Sequence, residues 1–81
     1  MTISAIAARV VNALESAADR EAGGKTALVS VTIDMLTQTD AGAVEVRLTR
    51  KTKTLVFLNA EFVNERGSRI ATAASVHKVL P

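Results

Sequence analysis

An α+β fold, one N-terminal helix packed on a four-stranded antiparallel sheet, is predicted by three features of this sequence. Apolar residues recur at spacings of three and four from Ile3 to about Ala22, the period switches to two after Gly23-Gly24, and four alternating runs then follow with short connections. Each element has its own local justification.

In the helix, Ile3, Ile6, Ala7, Val10, Leu14, Ala17 and Ala18 form one stripe centred near Val10 and Leu14, and Ala8, Asn12, Glu15 and Asp19 lie on the opposite face. Thr2 suits the N-cap and Gly23-Gly24 the stop. The first strand is read from Val29, Val31, Ile33 and Met35 alternating with Ser30, Thr32 and Asp34. A turn over Thr37-Gln38-Thr39-Asp40-Ala41-Gly42 leads to Val44, Val46 and Leu48, which alternate with Glu45, Arg47 and Thr49. Arg50-Lys51-Thr52-Lys53 reads as a basic connection. Leu55 to Val63 is apolar on both faces near its middle, which marks a central strand and makes Phe57 and Phe62 core residues. Asn64-Glu65-Arg66-Gly67 is a hairpin signal, and the last strand, Arg69 to Val79, is rich in small residues.

The composition narrows the function classes. The chain has 81 residues, 48% apolar, with no Cys, no Trp, no Tyr and one His. One domain over 1–81 is expected. Thiolate metal sites and disulfides are excluded, and His77 alone does not make a zinc site, so no metal and no cofactor is expected. A net charge of +2 and two aromatic residues do not make a nucleic-acid surface. No membrane-spanning run and no signal-like start is present, so a cytoplasmic chain is expected. A core of this size supplies only about 3–5 kcal/mol by itself. With disulfide and metal both excluded, a homo-oligomer is the expected source of further stability. The alternating first strand is an open edge, suited to pairing with its symmetry mate across a two-fold axis.

Several stretches in order resemble the hotdog fold, in particular its small acyl-CoA thioesterases of the phenylacetate-degradation type. They are the Gly-terminated, Ala-rich helix, Ser30-Val31-Thr32-Ile33-Asp34-Met35-Leu36, Asp40-Ala41-Gly42, and Glu61-Phe62-Val63-Asn64-Glu65-Arg66-Gly67 leading into Ile70-Ala71-Thr72-Ala73. The resemblance implies a helix wrapped by the sheet and strands in the order first, fourth, third, second. It also implies sheets joined edge to edge in a dimer or tetramer, with acyl-CoA or a similar thioester bound at the dimer interface. The family has a further strand before the helix and a His-Gly-Gly-like lead-in to it. By this measure the chain either starts upstream of Met1 or is a minimal version that leans on its partner.

Thioester hydrolysis calls for a carboxylate that attacks the carbonyl or activates water, and for donors to the developing oxyanion. Aligned from Thr32-Ile33-Asp34, the family's helix Asp falls on Asn12 and the glycine lead-in on Ser4 and Ala5. Asn12 is not a base but can orient a carbonyl or water. Glu15, one turn on, is the candidate base, although Asn12, Glu15 and Asp19 equally suit a solvated helix face. Arg50, Lys51 and Lys53 are candidates for the coenzyme A phosphates, and equally for charges that keep a hairpin tip soluble. His77 reads as a satisfied or exposed histidine rather than a general base. The competing function is a catalytically silent hotdog-fold binding or assembly module that kept the fold and lost the acid.

Overall fold

The computed structural model describes residues 2–36 and 42–81. The expected turn over Thr37 to Ala41, including Asp40-Ala41 of the Asp-Ala-Gly stretch, lies outside the described residues. The elements are α1 (Ile3–Ala22), β1 (Thr26–Met35), β2 (Gly42–Lys51), β3 (Leu55–Asn64) and β4 (Arg69–Val79). They form one antiparallel sheet in the order β1-β4-β3-β2, with α1 laid across one face.

The helix begins where Thr2 takes an extended conformation and its Oγ1 accepts the Ala5 N–H at 3.1 Å. It stops at Gly23, whose φ of 71° is left-handed, with the Gly23 and Gly24 amides returning to the Asp19 carbonyl. Its stripe of Ile6, Val10, Leu14, Ala17 and Ala18 is buried against Val56, Leu58, Ala60 and Phe62 of β3 and Ala71 and Ala73 of β4. The 20-residue helix is about 30 Å long and the ten-residue strands about 33 Å. Helix and sheet are therefore matched in length, and Arg9 reaches one end of β2 while Lys51 reaches the helix C-terminus from the other.

Three bulges decide which side chains face the helix. The period-two reading places Val29 beside Val31, Ile33 and Met35, but the β1 register shifts between Leu28 and Ser30, and Val29 is 60% exposed. A second shift, between Leu48 and Arg50, carries Arg50 to the outer face and Lys51 to the helix side. There the Lys51 ammonium donates to the Glu21 carbonyl, a favourable place for a cation at a helix C-terminus. Arg50 and Lys51 thus belong to β2 rather than to a connection. The third shift lets Ile70 and Ala71 both be buried. Phe57 corrects another expectation: with Val56 and Leu58 facing the helix, its ring lies half-buried on the outer face, and only Phe62 is core.

The turns follow their sequence signals. Asn64 Oδ1 accepts the Arg66 and Ser68 amides, and Gly67 takes a left-handed φ of 81°. Thr52 Oγ1 caps the β2–β3 turn by accepting the Leu55 N–H at 3.0 Å. Gly42 matters for a different reason, close approach. A methyl group there would run into the Val63 carbonyl oxygen and come within 2.9 Å of Phe62 Cε1. Gly42→Ala should therefore cost about 1–3 kcal/mol by overpacking, read as a lowered midpoint in denaturant at unchanged m-value.

Candidate active site

The edge of the helix that faces β1 gathers the polar chemistry of the fold. Asn12 sits on the exposed crest of α1, remote from the buried stripe. Glu15 is exposed on the flank towards β1, and Asp19 follows one turn later. Asp19 is not part of a solvated face: it is half-buried, and its Oδ1 accepts both the Thr26 N–H (2.9 Å) and the Thr26 hydroxyl (2.6 Å). This carboxylate ties the last turn of the helix to the first residue of β1.

Hydrogen bonds from the Thr26 hydroxyl and amide, with Lys25 nearby, hold the Asp19 carboxyl below its ordinary value of 3.8, against a smaller opposing effect of burial. Because the folded value is the lower one, the contribution of Asp19 to stability is complete above 3.8 and disappears as pH falls through the folded value. Asp19→Asn should accordingly flatten the acid limb of a stability-against-pH curve below 3.8.

Under this flank lie Ser75 and His77, both on the helix-facing side of β4. Neither is exposed as the sequence reading of His77 allowed: Ser75 is 3% and His77 0% exposed. Ser75 Oγ and His77 Nε2 share a hydrogen bond of 2.8 Å, and His77 Nδ1 is buried without a partner. Burial pushes the imidazole below its ordinary value, while the Glu15 and Asp19 carboxylates act in the opposite sense. Strand alternation carries the signal that sequence reading missed, since Ala71, Ala73, Ser75, His77 and Val79 follow one another with a period of two. Among the described residues no group of three or more His, Cys, Asp or Glu is placed to hold a metal ion.

The basic residues take three different positions. Arg50 is on the outer face opposite Phe57, Lys51 is bonded to the helix end, and Lys53 is exposed in the β2–β3 turn. Thus Lys51 and Lys53 lie at the same end of the sheet as the helix C-terminus, whereas Glu15 lies along the β1 flank.

A solved structure described as a protein from the thioesterase superfamily superimposes on this architecture with a TM-score of 0.65. The match covers 85% of this chain and 60% of the other, at 13% sequence identity. The fold is hotdog-like. At this identity the likeness speaks for the fold alone, and this hotdog-like chain spans less than two thirds of the structure it matches. No family model matches the chain, and no curated protein matches it in sequence. No helix among the described residues is long and apolar enough to cross a membrane.

Proposed function

We propose that this chain is a thioesterase-like protein that binds and hydrolyses an acyl-CoA thioester at an interface between two copies. The observation that carries this reading is the placement of Glu15, an exposed carboxylate on the helix flank that borders the open edge strand β1. Glu15 takes a proton from water as the water oxygen bonds to the thioester carbonyl carbon. The C–S bond then breaks, and the departing thiolate recovers the proton. Asn12, on the neighbouring turn, orients the carbonyl or the water through its side-chain amide. Lys53 supplies charge for phosphate, with Lys51 shared with the helix end, whereas Arg50 on the outer face is left out of this site.

Two physical arguments favour a site shared by two copies. A rise of about 1.5 Å per residue puts Glu15 roughly 18 Å along the axis from the helix start. Amides at the start of the same helix are therefore too far away to stabilise an oxyanion near Glu15, which favours donors from a second copy. The two sheet edges also differ: β2 carries Glu45, Arg47, Arg50 and Lys51, whereas β1 exposes Leu28 and Val29 and has Asp34 as its one charged residue. Charges blunt an edge and apolar alternation invites pairing. Light scattering at micromolar concentration should give at least twice the 8.5 kDa chain mass, and a monodisperse monomer would contradict the shared site.

The direct test is a panel of acyl-CoA esters with a thiol-release readout, run beside thermal shift with free coenzyme A. Turnover of at least one ester supports hydrolysis. A shift with coenzyme A but no turnover favours the silent binding module, for which the amide at position 12 is the specific observation. The absence of both turnover and shift would refute both ligand-based readings.

A further inference from the structure

His77 is the one titratable side chain placed wholly inside the layer between helix and sheet among the described residues. Its row across the sheet is apolar on both sides, Leu28 of β1 and Val56 of β3. Ser75 satisfies one ring nitrogen and nothing satisfies the other. We propose that His77 is an acid-triggered latch: while neutral it lets the last two turns of α1 lie closed over β4 and β1, and its protonation opens the seam between α1 and β1.

A neutral imidazole needs one donor and one acceptor, and one orphaned nitrogen is a tolerable loss. An imidazolium carries two N–H donors and a charge. Ser75 accepts one of them, and the second is left in an apolar layer, where an unpaired charge is far costlier. The charged groups around the ring are few. Glu15 and Asp19 face it from α1, Lys25 stands beside Asp19, and Lys51 of β2 ends the same cross-strand row, engaged with the Glu21 carbonyl. Neither β1 nor β3 places a charge opposite the ring, and Lys78 of β4 is on the other face. Relief for the charged ring therefore lies towards water and the two carboxylates at the α1–β1 margin.

The seam also runs beside the part of the helix that buries the smallest side chains. Its N-terminal part is anchored by Ile6, Val10 and Leu14 and by Arg9 over Phe62, whereas its last turns bury only Ala17, Ala18 and part of Ala22. Small side chains lose little apolar contact when the helix end lifts. The Asp19–Thr26 hydrogen bonds are the main polar fastening there, and they hold the Asp19 carboxyl below its ordinary value of 3.8. Opening frees the Glu15 flank and uncovers Ser75 and His77 while the β3–β4 core stays intact.

Because His77 is the one histidine in the chain, its imidazole resonance is unambiguous, and amide hydrogen exchange corrected for intrinsic rates reads the seam. Below the ordinary value of 6.5 and above the folded one, protection at Ala18–Ala22 and Thr26–Leu28 should fall about ten-fold per pH unit, following uptake of one proton. Amides of Val56 to Phe62 should keep their protection, and the imidazole should titrate with the seam midpoint. His77→Gln, which bonds Ser75 without titrating, should make seam protection independent of pH over this range. Titration at 6.5 with no loss at the seam, simultaneous loss over the whole sheet, or an unchanged pH response in His77→Gln would each overturn the latch. If that variant does not fold, the wild-type midpoints decide: coincidence of ring and seam supports the latch, and separation overturns it.

Discussion

Glu15→Gln should lower thiol release from an acyl-CoA ester that the wild type hydrolyses by about 10²–10⁴-fold, the range spanned by loss of a general base. The substitution keeps size and hydrogen-bonding capacity and removes the charge and the proton acceptor. Glu15 is exposed and outside the buried stripe, so folding should be unaffected and the loss should fall on kcat. Asn12→Ala, on the crest one turn away, should cost less, because an orienting amide is replaced in part by water. An unchanged rate in Glu15→Gln would remove Glu15 from the chemistry and leave the helix flank a solvated face.

Phe62→Ala should be the most destabilising single truncation, by about 3–5 kcal/mol. Phe62 is the largest fully buried side chain, at 0% exposure, and it fills the end of the core where helix, β2 and β3 converge. The Arg9 guanidinium lies 4.9 Å over its ring and donates to the Gly42 carbonyl, so the ring also supports a cation and a strand end. A core of this size contributes about 3–5 kcal/mol in all. The variant should therefore be largely unfolded at 25 °C unless assembly rescues it, which far-ultraviolet circular dichroism against concentration would show. A fall in stability of less than about 1 kcal/mol would mean that the site collapses around the lost ring.

The fold was legible in the sequence because its signals are local and periodic. The helix from Ile3 to Ala22 carries both its stripe and its two caps in the letters themselves, and the strand order follows the order implied by the family resemblance. Bulges were not legible. A one-residue shift reverses every inward assignment beyond it, and neither Val29 nor Thr49 carries a glycine or proline to mark the shift. Phe57 was misplaced for a related reason: a run apolar on both faces does not say which of its two aromatics meets the helix.

The site was half legible. Helical spacing groups Glu15 with Asn12 and Asp19 on the face opposite the stripe, whereas in the structure Glu15 stands on the flank that borders β1, which spacing alone does not reveal. Asp19 bonds to Thr26 seven residues on and Ser75 bonds to His77 two residues on, both within short windows, but that Ser75 and His77 are covered by the helix depends on β4 returning beside β1, which is held in topology. That Lys51 rather than Arg50 faces the helix likewise follows from the bulge, which reverses the alternation between Leu48 and Arg50.

The central claim is that a thioester ligand seats on the α1–β1 flank. A nitrogen–proton correlation spectrum titrated with a non-hydrolysable thioether analogue of an acyl-CoA tests it most directly, since it needs no turnover. Saturable shifts are expected at Asn12, Glu15, Thr26 and Leu28 and at the basic turn around Lys53. Shifts confined to the outer sheet face, where Thr32, Asp34, Asn59, Glu61 and Thr72 line a cleft of about 280 Å³, or no shifts at all, would contradict it.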